Sequence, residues 1–413
     1  MEGLFFGIDL GEKNTILSFY SSSMSEPGSV STVMGSSEYQ IPTCLAKRKG
    51  LDQWFYGKDA KNMISSGGAV EAENLYEKAI LNEEIELEGK SYPARDLLAI
   101  YIKYLLEISG QPIMSSFVKK LVITVETLSL DVAEMCSVVS RKLMIPEDRL
   151  LVIDHMEAFY YYALNQDPAT YFHDVLLLDC DKLNLKYSFL NLDRHKSPVL
   201  VNLNSGTDRL DEGKKDTALL NSLHVLLKTN LVSSVYLVGD GFDGGWMQSS
   251  MEFLLQKRRV FIGKNLYSKG ACFAGFVKQD GFKWNYAYIG SNELKMNVSL
   301  KVNDDNKIQF HSILDAGESW FQSQGECEVI LMGSKEIEFW IQRPESRSAT
   351  VEKLVLDSLP DREEGTTRLR ISAKALSDRE VELTIRDLGF GEIAPGSQKS
   401  FTHKIRLKEE ANV

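Results

Sequence analysis

The stretch that decides the fold is Leu4-Phe-Phe-Gly-Ile-Asp-Leu-Gly-Glu-Lys-Asn-Thr-Ile-Leu-Ser-Phe-Tyr20, near the start of the chain. Two apolar runs flank a short polar tip, a pattern that predicts a β-hairpin. Asp9 at the end of the first strand, followed by Gly11, places a carboxylate and free backbone N–H groups around a concave tip, which suits a metal-bound phosphate. The alternative is a plain tight turn, since Asp-x-Gly is also common turn chemistry.

Composition and charge limit the classes of protein to consider. Of the 413 residues, 43% are hydrophobic and 25% charged, which is ordinary for a soluble globular protein of several domains. The net charge of -11 argues against nucleic acid as a partner, because phosphate binding needs a concentrated basic surface. No apolar run reaches the roughly 20 residues of a membrane span, and no signal sequence precedes the first strand. We therefore expect a cytoplasmic protein without nucleic-acid or membrane partners.

The cysteines and histidines do not form the pattern of a metal site. Five cysteines, widely spaced and mostly inside apolar runs, predict buried thiols rather than disulfides or a zinc site. The six histidines have no paired ligand spacing. The sequence therefore predicts no metal held by cysteine or histidine.

From the start of the chain to about Val277, strands alternate with helices, which is the pattern of an α/β domain. Predicted strands cover residues 121–125, 150–153, 175–179, 187–192 and 235–238, and predicted helices cover residues 129–144, 156–164, 219–228 and 246–257. Between the last strand and the last helix lies Gly239-Asp-Gly-Phe-Asp-Gly-Gly245, the richest glycine loop in the chain. Such a loop either lets the backbone approach a bound anion or serves only as a turn.

Beyond about residue 280 the pattern changes to strands separated by turns. Predicted strands cover residues 293–302, 307–313, 327–331, 336–342, 367–373 and 380–386. This spacing predicts an antiparallel β-sandwich. The sequence thus divides into a domain over residues 1–279 and a β-sandwich over residues 280–413.

Three stretches stand in an order that resembles one known family. Gly7-Ile-Asp-Leu-Gly11 is followed by Asn14, then by Leu178-Asp179, and then by Val235-Tyr-Leu-Val-Gly-Asp-Gly241. These resemble, in turn, the first phosphate loop, the second phosphate loop and the adenosine loop of the seventy-kilodalton heat-shock chaperones, within the actin-like ATPase superfamily. The resemblance implies an actin-like two-lobed ATPase fold with a reduced second lobe, followed by a sandwich similar to the chaperones' peptide-binding domain without a helical lid.

The same resemblance implies a nucleotide site. Its ligands would be ATP or ADP with Mg²⁺, bound by Asp9, Gly11, Asn14, Asp179, Gly239 and Gly241. From the residues alone, Asp9 and Asp179 also fit strand-end positions that cap turns, and His155 fits a helix cap better than a general base. Catalytic residues stay unassigned.

The chain departs from the chaperone pattern where phosphate chemistry takes place. Glu12 and Lys13 stand in place of two threonines, and Cys180-Asp-Lys-Leu-Asn184 replaces a glycine-rich tip. His155 and Met156 replace a Glu-Pro pair, so the carboxylate near the attacking water is missing. Phosphoryl transfer depends on positioning and electrostatics, and these losses together predict turnover lower by several powers of ten.

Three functions remain open on the sequence. The first is a chaperone-like protein with a vestigial ATPase domain, which binds a peptide or partner protein. In this case the domain either binds nucleotide without hydrolysing it efficiently or binds no nucleotide. The second is an active chaperone ATPase with a phosphate site rebuilt by Glu12, Lys13 and Lys182. The third is a structural subunit of a larger assembly without nucleotide. The oligomeric state is open.

Overall fold

The fold comes from a computed structural model, which describes residues 3–33, 35–111, 117–304, 307–344, 346, 348–391, 394–397 and 399–407. The chain divides into two compact units, Met1–Tyr286 and Ala287–Val413. Unit 1 mixes helices with sheets, and unit 2 is built from strands. Within the described residues, no helix has the length and apolar character needed to cross a membrane.

Unit 1 contains the strands and helices that position the candidate site. Its strands are β1 (Leu4–Leu10), β2 (Asn14–Tyr20), β3 (Gly28–Ser29), β4 (Ile41–Pro42), β5 (Leu45–Arg48), β6 (Trp54–Tyr56), β7 (Ala69–Glu71), β8 (Glu84–Leu87), β9 (Lys90–Pro93), β10 (Val118–Val125), β11 (Leu150–Asp154), β12 (Asp174–Asp181), β13 (Asn184–Asp193), β14 (Val199–Arg209), β15 (Val232–Val238) and β16 (Arg259–Ile262), with β17 (Tyr286–Tyr288) at the division. Its helices are α1 (Gly57–Ser65), α2 (Leu75–Ile80), α3 (Ala94–Ile108), α4 (Leu130–Lys142), α5 (His155–Leu164), α6 (Lys215–Leu226), α7 (Gln248–Leu255) and α8 (Leu266–Val277).

Two sheets of unit 1 follow the same plan. The first has the strand order β11-β10-β1-β2-β3, and the second contains the order β16-β15-β12-β13-β14. In each, an antiparallel hairpin, β1–β2 or β12–β13, continues into a third antiparallel strand. On the other side of the hairpin lie two parallel strands. The predicted opening hairpin is confirmed, and the predicted strands over residues 175–179 and 187–192 pair as a second hairpin.

Local sequence signals explain where two helices begin. Ser129 caps α4, because its side chain accepts a hydrogen bond from the backbone N–H of Val132. Asp154 ends β11 and caps α5 in the same way, accepting from the N–H of Glu157 at 2.7 Å. The cap of α5 is therefore Asp154, and the expectation that His155 caps this helix is wrong.

Helix α8 packs closely against strand β1 and helix α5. A Cβ atom at Gly7 of β1 would lie 2.1 Å from the carbonyl oxygen of Ser268 in α8. A Cβ atom at Gly270 of α8 would lie 2.0 Å from the carbonyl oxygen of Ala158 in α5. Both distances are well inside van der Waals contact, so the two glycines allow α8 to approach the strand and the helix.

Unit 2 consists mainly of two four-stranded antiparallel sheets. Its strands are β18 (Asn297–Asp304), β19 (Lys307–Leu314), β20 (Gln324–Leu331), β21 (Glu336–Gln342), β22 (Ala349–Val355), β23 (Thr367–Ser377), β24 (Glu380–Asp387), β25 (Gly389–Phe390), β26 (Ala394–Pro395) and β27 (Ser400–Arg406). The sheets have the orders β19-β18-β21-β22 and β20-β23-β24-β27. Alternate residues of both face one apolar core that includes Leu300, Phe339, Ile371 and Leu383. This is the layered arrangement of a β-sandwich.

Candidate functional site

The first pair of the candidate site joins β1 of the first sheet to α5, the helix that follows another strand of the same sheet, β11. Asp9 lies near the end of β1, and His155 is the first residue of α5, directly after β11. The Nε2 atom of His155 lies 2.8 Å from Oδ1 of Asp9. The two side chains are 17% and 15% exposed, respectively, so the pair is largely shielded from water.

The second pair has the same layout in the second sheet. Asp179 lies within β12, and Tyr267 lies in the first turn of α8. The Tyr267 hydroxyl donates a hydrogen bond of 2.8 Å to Oδ2 of Asp179. Because β12 continues past Asp179 to Asp181, the expectation that Asp179 caps a turn is wrong; its carboxylate binds a side chain of a distant helix.

The two pairs meet through their rings. The rings of His155 and Tyr267 are stacked, with centroids 3.9 Å apart and planes 7° from parallel. Side chains therefore follow one another in the order Asp9, His155, Tyr267, Asp179. The two carboxylates that the sequence singled out face each other across two aromatic rings, and we call these four residues the ring-stacked cluster.

The protonation of the ring-stacked cluster follows from burial and from its carboxylates. Burial lowers the pKa of His155, but the carboxylates of Asp9, Asp179 and Glu126 together outweigh burial, and the net pKa is raised. Burial raises the pKa of Asp179, against the hydrogen bond from Tyr267. Burial and then Asp179 raise the pKa of Tyr267 well above its usual value. These directions favour a proton on each ring, so each ring donates to its carboxylate.

A cavity of about 380 Å³ opens beside the ring-stacked cluster. Its lining includes His155, Asp179 and Tyr267, together with hydroxyl groups from β13 and β14. At one side, Lys186 of β13 forms an ion pair with Glu126, which directly follows β10. The cavity lining therefore combines carboxylates, one lysine and hydroxyl groups with apolar side chains such as Met156 and Leu177.

The glycines of the loop after β15 lie against the second hairpin. Gly239 has φ +95°, and a Cβ atom there would lie 2.4 Å from the carbonyl oxygen of Cys180. A Cβ atom at Gly241 would lie 2.5 Å from the Cys180 sulfur. Because neither position has a side chain, the loop can pack directly against β12.

The remaining predicted site residues lie at the turn of the first hairpin. The backbone N–H of Gly11 donates to the carbonyl of Asn14 at 3.2 Å, which closes the turn. The Thr43 hydroxyl donates to the Gly11 carbonyl at 2.7 Å. The structure therefore brings Asp9 and Asp179 into one cluster, while Gly11 and Asn14 belong to the turn beside it.

Sequence reasoning missed the two aromatic members of the cluster. The contact between His155 and Asp9 spans 146 positions in the chain, and that between Tyr267 and Asp179 spans 88. No local periodicity or spacing reports such a contact. One signal was available. His155 directly follows β11, and β10 lies between β11 and β1 in the sheet, so His155 and Asp9 lie at the same edge of that sheet.

Comparison with known proteins identifies both parts of the chain as domains of uncharacterised families. Residues 26–291, more than half of the chain, match the family described as "Family of unknown function (DUF5716) C-terminal". The chain belongs to this family. Residues 293–407 match the domain described as "Domain of unknown function (DUF8552)". No curated protein matches the chain significantly.

Proposed function

We propose that this protein is a chaperone-like binding protein on the actin-like two-lobed plan, which captures a peptide or partner protein and does not hydrolyse ATP. The repeated sheet plan of unit 1 supports the two-lobed part of the proposal. The orders β3-β2-β1-β10-β11 and β14-β13-β12-β15-β16 have the same strand directions. In each plan an aspartate, Asp9 or Asp179, lies near the end of the first strand of the hairpin.

The ring-stacked cluster is the observation that carries the proposal. In an ATPase of this plan, the carboxylates at these positions would face magnesium-bound phosphates. Here one oxygen of Asp9 binds His155 and one oxygen of Asp179 binds Tyr267, and the two rings fill the space between them. A cation shared by both carboxylates would have to displace the stacked rings. These residues therefore do not fit magnesium-bound ATP.

The charged side chains near Asp9 support the same conclusion. Burial raises the pKa of Tyr76 to about 12, and the carboxylates of Asp9, Glu126 and Glu12 add to that shift. Asp9 is paired with His155 and Glu126 with Lys186, so these two cations are already bound to carboxylates and are not free to receive a triphosphate. Glu12 and Lys13, which stand where the chaperones have two threonines, are both exposed and supply no hydroxyl group at the hairpin turn.

The packing of the glycine loop also argues against nucleotide binding, because this loop was expected to contact the adenosine. Gly239 and Gly241 lie against Cys180, and Asp240 binds Lys264 at 2.7 Å and Gln40 at 3.0 Å. The loop is thereby fixed by contacts within unit 1. We infer that it serves as a structural link in this protein rather than as an adenosine-binding loop.

Calorimetric or fluorescence-detected unfolding of the full chain tests the proposal. The melting temperature is measured with MgATP, with MgADP and without nucleotide, and phosphate release is measured in parallel. Ligand at 100 times its Kd would stabilise the protein by about 2.7 kcal/mol. Because the ring-stacked cluster does not fit magnesium-bound ATP, we expect no such shift at millimolar nucleotide and no turnover. A magnesium-dependent shift that Asp9→Asn abolishes, or turnover above background, would contradict the proposal.

A further inference from the structure

The two outer faces of the sandwich in unit 2 differ in chemistry. On the sheet β20-β23-β24-β27, Glu328 binds both Arg368 and Arg370, and the face is covered by ion pairs. On the sheet β19-β18-β21-β22, large apolar side chains face outward instead. Phe310 is 58% exposed and Ile308 is 69% exposed. One face is therefore suited to water and the other to a partner.

The register places the outward apolar side chains on one continuous surface. Phe310 of β19 pairs with Lys301 of β18, while Trp340 of β21 pairs with Ser299 of β18 and with Val351 of β22. The rings of Phe310 and Trp340 are 5.0 Å apart in an edge-to-face arrangement. We call Ile308, Phe310, Trp340 and Val351 the outer aromatic face.

A cationic group lies on the outer aromatic face. The Lys301 ammonium is 5.9 Å from the centre of the Trp340 ring, in the geometry of a cation–π contact. Lys307 begins β19 and is exposed, and because side chains alternate along a strand, it lies on the opposite side of β19 from Ile308 and Phe310. Two carboxylates of β21 face this side: Glu338, which binds Lys353 at 2.8 Å, and Glu336, which is exposed. Lys301 beside the aromatic rings and Lys307 on the other side of β19 both favour an acidic ligand at this edge.

The edge of β19 defines the shape of that ligand. β19 is the terminal strand of its sheet in the order found among the described residues, and positions 307–312 are exposed on both faces. Such an edge offers backbone N–H and C=O groups to an added strand. Trp340 also carries a buried indole N–H for which the described residues supply no acceptor.

We propose that an extended acidic peptide of a partner protein adds as a strand beside β19, with apolar side chains on the outer aromatic face and the alternating carboxylates on the opposite side, near Lys307. The inference rests on the proposed function, since it names the peptide class and the surface that captures it. Alternate residues of the peptide would face Ile308 and Phe310, because side chains of a strand alternate between faces.

Fluorescence anisotropy with the full chain tests the inference. The probe is a short fluorescein-labelled peptide of alternating phenylalanine and glutamate, and the comparison peptide has lysine in place of glutamate. We expect saturable binding of the acidic peptide only, weakened by salt. Phe310→Ser should lower affinity by about tenfold or more, as for an interface hot spot, and Lys307→Glu should also weaken binding. Ile330→Ser, at a half-exposed apolar position on the other sheet, is the matched control and should change nothing.

The opposing results are equally distinct. No saturable binding of the acidic peptide, equal binding of the lysine peptide, or binding that Ile330→Ser weakens as much as Phe310→Ser would overturn the inference. Because Phe310 and Lys307 are exposed, their variants should unfold at the wild-type temperature, so a loss of binding reports the surface rather than the fold. ATP turnover by the wild type would instead contradict the proposed function while leaving this peptide measurement interpretable.

Discussion

His155 and Tyr267 lie face to face with ring centroids 3.9 Å apart, and each ring binds a carboxylate from a different sheet. Asp9 belongs to β1 and Asp179 to β12, so the stacked rings connect the first strands of the two repeated sheet plans. A contact of this kind stabilises unit 1 by linking these two sheets.

Removing the Tyr267 hydroxyl should destabilise the protein. Tyr267→Phe keeps the ring stack but leaves the Asp179 carboxylate, already largely buried, without its donor. An unsatisfied buried acceptor costs about 1–3 kcal/mol, and the melting temperature should fall accordingly. Adding Asp179→Asn removes the buried charge and should recover part of the loss. A double variant no more stable than Tyr267→Phe would contradict the explanation.

The pairing of His155 with Asp9 should make stability depend on pH. Since the folded pKa of His155 is raised from its usual value of 6.5, the pair stabilises the fold fully below that value and loses its effect as pH rises through the folded pKa. The difference in melting temperature between wild type and His155→Gln should therefore be largest near about pH 6 and shrink at alkaline pH. A difference that grows with pH would contradict a protonated His155.

Local patterns in the sequence predicted much of the secondary structure. The hairpin of β1 and β2 and the capped helix α4 follow from apolar alternation and from Ser129. Strand β21 has the predicted bounds, whereas β22 and β27 of the same sandwich were missed. Both missed strands carry many exposed polar residues, and their apolar alternation is correspondingly weak.

The candidate site could be predicted only in part. Asp9 and Asp179 were selected because each ends or nearly ends an apolar run, which is local information. Their partners, His155 and Tyr267, reach them only through the order of strands in the two sheets. Gly239 and Gly241 were selected for closeness to a ligand, and the structure places that close approach against Cys180. A glycine pattern reports a close contact but does not say what is contacted.

The close packing of α8 against α5 should leave no room for a side chain at Gly270. Alanine normally stabilises a helix relative to glycine, but a Cβ atom here would lie 2.0 Å from the Ala158 carbonyl oxygen. We expect Gly270→Ala to destabilise the protein by about 1–3 kcal/mol, as overpacking does, measured by thermal unfolding. Gly213→Ala is the control, because its nearest atom would be 3.7 Å away. Equal stability of the two variants would show that the helices move apart freely.

The ion pair of Arg362 and Asp387 should be essential to unit 2. Two guanidinium nitrogens of Arg362 donate to the two Asp387 oxygens at 2.8 Å each, with the Asp387 side chain fully buried. Although burial alone would raise the pKa of Asp387, these bonds and those from Ser397 hold it at about 2.

Breaking this pair leaves a buried carboxylate without its cation, so Arg362→Gln should cost about 3–5 kcal/mol. The exposed Arg368→Gln, which loses only a surface pair, should cost about 1 kcal/mol or less. Because the folded pKa of Asp387 is depressed, its stabilisation is present above about pH 4 and is lost as pH falls toward 2. Thermal unfolding of wild type and Arg362→Gln across that range should therefore converge in acid, and curves that stay parallel would show that the pair does not control acid unfolding.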